Sequence, residues 1–190
     1  MDHPSKSLSH LDSHGHPRMV DVSDKEKTVR KAVAEGSIRM APETLAAIQT
    51  GDTPKGEVLQ VARLAGIQAG KRTGELIPLC HLLPGASLAV DVVPDPDLPG
   101  VRVRASATLS GQTGVEMEAL TATAIALVTV YDMVKSMDRS MVLEGIRLVS
   151  KEGGRSGKWT QQGEEEREGP EAVGRGSSGG QPPSAHPPGG

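Results

Sequence analysis

"GVEMEALTATAIALVTVYDMVK" (residues 114–135) is mostly small and aliphatic, yet it opens with Glu116 and Glu118 and closes with Asp132 and Lys135. Its length and composition predict a helix from about Glu118 to Met137. Leu120, Ala124, Leu127, Tyr131 and Val134 fall on one stripe, and Ile125 and Val128 carry apolar character further round the cylinder. A helix apolar on several sides is buried on several sides. In a two-layer domain its outer side would be wet, so a subunit interface is the expected cover. Fourteen residues separate Glu118 from Asp132, about 21 Å at 1.5 Å per residue. The charged ends therefore cannot meet one small substrate within a single helix. Either they serve different purposes, or a neighbouring chain brings one end beside another's.

The segments around this helix set the architecture. "TVRKAVAEGSIRM" (28–40) fits a helix or a strand by pattern, with Val29, Lys31 and Val33 on one side; Gly36 and the following Pro42 favour a strand. "PETLAAIQTG" (42–51) is a short helix with Pro at its start and Gly at its end. From Lys55 to about Arg72, Val58, Val61, Ala62, Ala65 and Ala69 recur at helical spacing. "ASLAVDVV" (86–93) and "VRVRASATL" (101–109) are strands joined by the turn "PDPDLPG". Val101 and Val103 alternate with Arg102 and Arg104, as in a half-buried strand. "MVLEGIRLVSK" (141–151) closes the domain as a strand. Setting the short helix aside, the order is strand, helix, strand, strand, helix, strand. This is the split βαβ or ferredoxin-like order of an α+β domain. It predicts one antiparallel sheet with two long helices packed on one face.

Composition limits what such a domain does. The chain has 190 residues, no Phe, one Trp and one Tyr, so aliphatic side chains and alanine must build its core. Residues 1–17 read as a polar, disordered arm, 18–160 as the catalytic domain and 161–190 as a disordered low-complexity tail. The tail's five glutamates against Arg167 and Arg175 equal the whole chain's net charge of −3, so the domain itself is neutral. Neutrality and the lack of stacking aromatics argue against nucleic acid as a partner. The single Cys80 suits a reducing cytoplasm. No run reaches the ~20 apolar residues of a bilayer span, and the start of the chain has no secretory h-region. Neither a membrane nor secretion is expected.

The ionisable residues have bland readings as well as chemical ones. Glu116 and Glu118 suit a helix N-terminus and Lys135 a C-terminus, and Asp132 with Lys135 at i, i+3 can be a surface ion pair. "LIPLCHLLPG" (76–85) sets Cys80 beside His81 in a segment fixed by Pro78 and Pro84. No second Cys or His in the domain completes a zinc set. Adjacent side chains on an extended chain also point apart, which argues against a Cys–His nucleophile. His10, His14 and His16 could chelate a metal, but an unstructured arm supplies no fixed geometry. No metal is expected. Arg30, Lys55, His81 and Lys151 are candidate anion contacts. Lys55-Gly56 would open a helix N-terminus, and "EGGRSG" (152–157) could form a backbone nest. Cations gathered with carboxylates suit a polyphosphorylated substrate that undergoes proton transfers.

"MVDVSDKEKTVRKA" (19–32), "KGEVLQVARLAGIQAGKRTGELIPLCH" (55–81), "GQTGVEMEALTA" (111–122), "YDMVK" (131–135) and "GGRSG" (153–157) together resemble the cyclic pyranopterin monophosphate synthase family of molybdenum cofactor (molybdopterin) biosynthesis. The resemblance covers about residues 19–158. It implies a ferredoxin-like subunit in a hexamer, a trimer of dimers, with active sites at subunit interfaces. The implied lyase reaction converts 3′,8-cyclo-7,8-dihydro-GTP, made by a partner radical enzyme, into cyclic pyranopterin monophosphate and pyrophosphate, with no cofactor. It also implies a catalytic role for Asp132, Lys135 and Lys55. Leu79, Cys80, His81, Glu116, Met117 and Glu118 match substrate-binding segments, and Arg30 and Lys151 match basic positions suited to the triphosphate. On this reading Asp132 and Lys135 take the acid–base role, His81, Arg30 and Lys151 the phosphates, and the glutamates the purine-derived end.

Three positions depart from the family pattern. The proline usual after His is displaced to Pro84, Val134 replaces a cysteine, and "KGE" replaces "KGD". The competing readings are a non-catalytic nucleotide-binding module of the same fold and an acyl or phosphoryl hydrolase. The first predicts binding without turnover; the second predicts phosphate release without a pterin.

Overall fold

The computed structural model describes residues 14–155 and 157–161, so nearly all of the expected arm and tail lies outside the described residues. The elements are β1 (Thr28–Arg39), α1 (Pro42–Thr50), α2 (Val58–Lys71), the single-turn α3 (Thr73–Leu76), β2 (Ser87–Asp95), β3 (Gly100–Gly111), α4 (Glu116–Val134), β4 (Val142–Glu152) and β5 (Trp159–Thr160). They form one five-stranded sheet in the order β2-β3-β1-β4-β5, antiparallel throughout. Through β4 the element order and strand order are those of the split βαβ fold, as the sequence pattern predicts.

The alternation on β3 divides the sheet into two faces. Val101, Val103, Ala105 and Ala107 are buried beneath the helices. Arg102 and Arg104 lie on the other face and pair with Asp95 and Glu35. On β1 the helix-facing residues are Ala32, Ala34 and Ile38. Val29, Lys31 and Val33 share the opposite face, where Val29 is 67% exposed.

α4 buries Leu127 and Val134 of the expected stripe but not its other members. Ala119, Ala122, Thr123, Ala126, Leu127, Val130 and Val134 are buried, while Leu120, Ala124, Ile125 and Tyr131 are half-buried and Val128 is 50% exposed. The reason lies on α2. A Cβ on Gly66 would stand 2.8 Å from the Ala122 carbonyl oxygen, and one on Gly70 would stand 3.1 Å from that of Glu118. Two glycines one turn apart let the helix backbones approach, which selects small residues for the contact and leaves the large ones outside. Val61 on α2 is left exposed in the same way.

Among the described residues, only α4 has the length and mean hydropathy (19 residues, 1.4) of a membrane span. It packs against α2, β1 and β3 as the core helix of the domain. β5 was not expected from the sequence. It pairs with β4 through Ser150↔Thr160 and Lys151↔Trp159, and between the two strands Gly153 and Gly154 lie against Val29 and Arg30 of β1.

Candidate active site at the two ends of α4

β1 and β4 bring Arg30 and Lys151 to the N-terminal end of α4. Lys151 Nζ lies 3.2 Å from Glu116 Oε1. Arg30 Nε donates to the Gly111 carbonyl at 3.3 Å and Nη2 to the Gln112 carbonyl at 3.4 Å. Gly153 and Gly154 both have positive φ, 96° and 71°. A Cβ on the first would overlap the Val29 carbonyl oxygen, and one on the second would overlap Arg30 Nη1. Only glycine lets this loop close on the guanidinium. The result is a cavity of about 770 Å³ whose lining includes Arg30, Gly114, Glu116, Lys151 and Gly154, a size suited to a small organic ligand.

A second pocket of about 390 Å³ adjoins it through Thr113, Gly114 and Glu116, and holds Leu79, Cys80, His81 and Met117. The chain here is a turn, whereas the expectation that Cys80 and His81 point apart holds for an extended chain. The Cys80 N–H donates to the Ile77 carbonyl at 3.2 Å, and Leu79 has φ 61°. Cys80 and His81 therefore line one pocket instead of pointing apart. Burial, and next the Glu118 carboxylate, push the Cys80 thiol upward, which makes it a weaker nucleophile at neutral pH.

Glu118, the carboxylate that acts on Cys80, is 3% exposed, and its Oε2 has no hydrogen-bond partner among the described residues. Burial raises its pKa; a backbone hydrogen bond opposes the shift and the Glu116 carboxylate adds to it. His81 Nε2 lies 2.9 Å from the Val20 carbonyl oxygen. A carbonyl can only accept, so Nε2 carries the proton and Nδ1 is the ring's remaining polar atom.

The C-terminal end of α4 carries a separate cluster. Asp132 Oδ2 lies 2.6 Å from Lys55 Nζ, and Oδ1 lies 2.8 Å from Lys135 Nζ. Lys55 Nζ also donates to the Asp132 carbonyl at 3.1 Å. Hydrogen bonds from Lys135 and then Lys55 hold the Asp132 carboxyl down at about 2. Asp132 in turn raises Lys135. Lys55 reaches Asp132 from a turn and not from a helix start. Gly56 N–H donates to the Thr53 carbonyl at 3.2 Å, and α2 begins only at Val58.

The chain thus gathers Arg30, Leu79, Cys80, His81, Glu116, Met117, Glu118 and Lys151 at one end of α4, and Lys55, Asp132 and Lys135 at the other. The sequence reading assigned no role to Gln112 or to residues 24–26, which line the larger cavity. Gln112 Nε2 donates to the Ser23 and Lys25 carbonyls at 2.8 and 2.9 Å. "DVSD" (21–24) held part of that signal. Asp21 Oδ1 accepts from Ser23 N–H at 2.9 Å and from its hydroxyl at 2.6 Å, a local turn legible from residue type.

Among the described residues, no three or more His, Cys, Asp or Glu side chains gather as a metal site. The rings of His14 and His16 stack 6.2 Å apart, and His10 of the same trio lies outside the described residues.

A model of the MoaC family matches residues 19–154, which include every side chain of the two clusters at the ends of α4. The chain belongs to the MoaC family. It is 62% identical over 151 residues to a cyclic pyranopterin monophosphate synthase of Methylobacterium nodulans, covering 80% of this chain and 94% of that protein. It is 59% identical over 152 residues to one from Dinoroseobacter shibae, covering 80% and 96%. Over 155 residues it is 57% identical to one from a Nostoc species, covering 82% and 92%. Membership of the family bears out the resemblance carried by the motifs between residues 19 and 158, and the family match takes in both clusters at the ends of α4.

Proposed function

We propose that this protein is a cyclic pyranopterin monophosphate synthase of molybdenum cofactor biosynthesis, a lyase acting on 3′,8-cyclo-7,8-dihydro-GTP. The observation that carries this reading is the cavity over Arg30 and Lys151, joined through Glu116 to the pocket of Cys80, His81 and Met117. Triphosphate binds where Arg30, Lys151 and the Gly153-Gly154 turn converge, and the purine-derived end reaches Met117, Glu118, Cys80 and His81. A ribose-derived hydroxyl then attacks the α-phosphorus, and the bond to the β-phosphate breaks as pyrophosphate leaves. Cations around the phosphates stabilise the charge that develops on the leaving group.

Ring opening and rebuilding need proton transfers, which we assign to Lys55, Asp132 and Lys135. A carboxyl held at about 2 is a poor base while both lysines grip it. In the resting state Asp132 therefore orients the two ammonium groups, and a lysine donates the proton. Substrate anions that draw the lysines away free Asp132 to accept one.

The distance between the two clusters supports a shared site. A second copy of the chain supplies its Lys55–Asp132–Lys135 cluster to the first copy's cavity, within a hexamer built as a trimer of dimers. Leu64 and Val128, exposed on α2 and α4, are apolar cover for such contacts. The enzyme works in the cytoplasm beside the radical enzyme that makes its substrate. Incubation with the cyclo-dihydro-GTP intermediate, oxidation, and detection of a fluorescent pterin together with stoichiometric pyrophosphate tests the reading. Binding without a pterin product refutes it in favour of a non-catalytic module.

A further inference from the structure

Residues 20–26 have little apolar surface with which to hold themselves in place. Only Val20 and Val22 are half-buried, the other five residues are exposed, and no helix or strand runs through the segment. Nevertheless Asp24, Lys25 and Glu26 line the cavity over Arg30. With hydrophobic packing nearly absent, polar anchors must set where this wall stands. His81 provides one through Val20. Gln112 provides the other, spending one amide hydrogen on the Ser23 carbonyl at 2.8 Å and the second on the Lys25 carbonyl at 2.9 Å. Both acceptors are backbone carbonyls, so only a group with two donors at that point can hold them together.

The same residue also faces inward. Its backbone carbonyl accepts from Arg30 Nη2 at 3.4 Å, while the neighbouring Gly111 carbonyl accepts from Arg30 Nε at 3.3 Å. One residue at the end of β3 therefore touches the guanidinium through its main chain and the opposite wall through its side chain.

We propose that Gln112 is a positioning residue that fixes residues 20–26 as a wall of the cavity and so holds Lys25 against the phosphate-bearing end of the substrate. The inference rests on the triphosphate reading of this cavity for its kinetic consequence, but not for its structural one. Gln112 acts through the wall and touches no reacting atom.

Gln112→Glu is the informative change. A carboxylate of the same size sets acceptor against acceptor at both carbonyls, so the wall is released rather than re-formed. Gln112→Asn keeps both donors one methylene short and should fall between the variant and the parent. Hydrogen–deuterium exchange on the full-length protein without substrate reads the wall directly. Uptake across residues 20–26 should become about tenfold faster in Gln112→Glu, while β1 and α4 stay as protected as in the parent. In the pterin assay KM should rise about tenfold with kcat within about threefold, the pattern of lost binding rather than lost chemistry. Lys25→Met should give a similar rise in KM, and the double variant should be barely worse than either single one, because both changes remove the same contact.

Unchanged exchange at residues 20–26 in Gln112→Glu overturns the proposal whatever the substrate proves to be. A fall in kcat at constant KM, or additive effects of the two substitutions, overturns the assignment to Lys25. If α4 also loses protection, Gln112→Asn decides by the same two measurements. Should the parent itself form no pterin, the functional reading fails while the exchange result still judges the wall.

Discussion

Glu118→Gln should make this protein more stable and less active at once. The parent carboxyl is 3% exposed with one oxygen unpartnered, and an unsatisfied buried polar group costs about 1–3 kcal/mol, more when it is charged. The amide keeps the shape and removes the charge but still leaves polar atoms to satisfy, so the net gain should be near the low end, about 1 kcal/mol. In a folded part of this size that corresponds to roughly 3 °C in the unfolding midpoint. The gain must depend on pH, and its sign follows from the raised pKa of Glu118. A carboxyl whose folded-state pKa lies above the unfolded one destabilises the fold once it ionises. The advantage of glutamine is therefore full above the folded-state pKa, shrinks as pH falls through it, and vanishes below the ordinary glutamate value of 4.5. Thermal unfolding of both proteins from pH 4 to 8, at one fixed protein concentration because assembly shifts the midpoint, measures this directly. Turnover should meanwhile fall by an order of magnitude or more as the purine-derived end loses its anionic partner. A glutamine variant less stable than the parent by the same margin at every pH would mean that Glu118 is already paired, and the reasoning would fail.

Asp132→Asn and Lys135→Met should each lower turnover by about 10² or more with the fold intact by circular dichroism; normal rates would return the pair to a surface contact. Co-expressing Glu118→Ala with Lys55→Ala chains should restore part of the activity that neither variant has alone, and mixed assemblies that stay inactive would place both ends of the site within one chain. Gly154→Ala should raise KM by about tenfold with a smaller change in kcat, since its Cβ overlaps Arg30 Nη1 and its φ of 71° strains any L side chain; unchanged steady-state kinetics would remove Arg30 from the binding site. A chain lacking residues 1–17 and ending at Gln161 should keep its unfolding midpoint and its rate, with Gln161 retained because its N–H donates to the Val149 carbonyl at 2.9 Å. A large loss of either would mean the domain boundaries are misplaced.

What the residues alone determined is local and periodic. Alternation of Val101 and Val103 with Arg102 and Arg104 marked a half-buried strand because side chains on a strand alternate faces. Pro42 and Gly51 bounded α1 because one fits a helix start and the other adopts the left-handed conformation at its end. The separation of Glu118 from Asp132 followed from helical rise alone, so two distant clusters were legible before any coordinate. Tertiary structure decided whatever depends on approach between distant segments. The buried face of α4 was only partly legible: Leu127 and Val134 of the expected stripe are buried, but hydrophobicity ranks Leu120 above Ala122 and Ala126. Contact with Gly66 and Gly70 instead rewards whatever lets two backbones come close. Asp132 meets Lys55 across 77 positions of sequence, and Gln112 meets Ser23 across 89. Neither pairing has a local period to betray it. The shifts of Asp132 and Glu118 follow the same division. One carboxylate stands between two lysines and the other is buried with one oxygen unpartnered, and only folding separates two side chains so alike in chemistry.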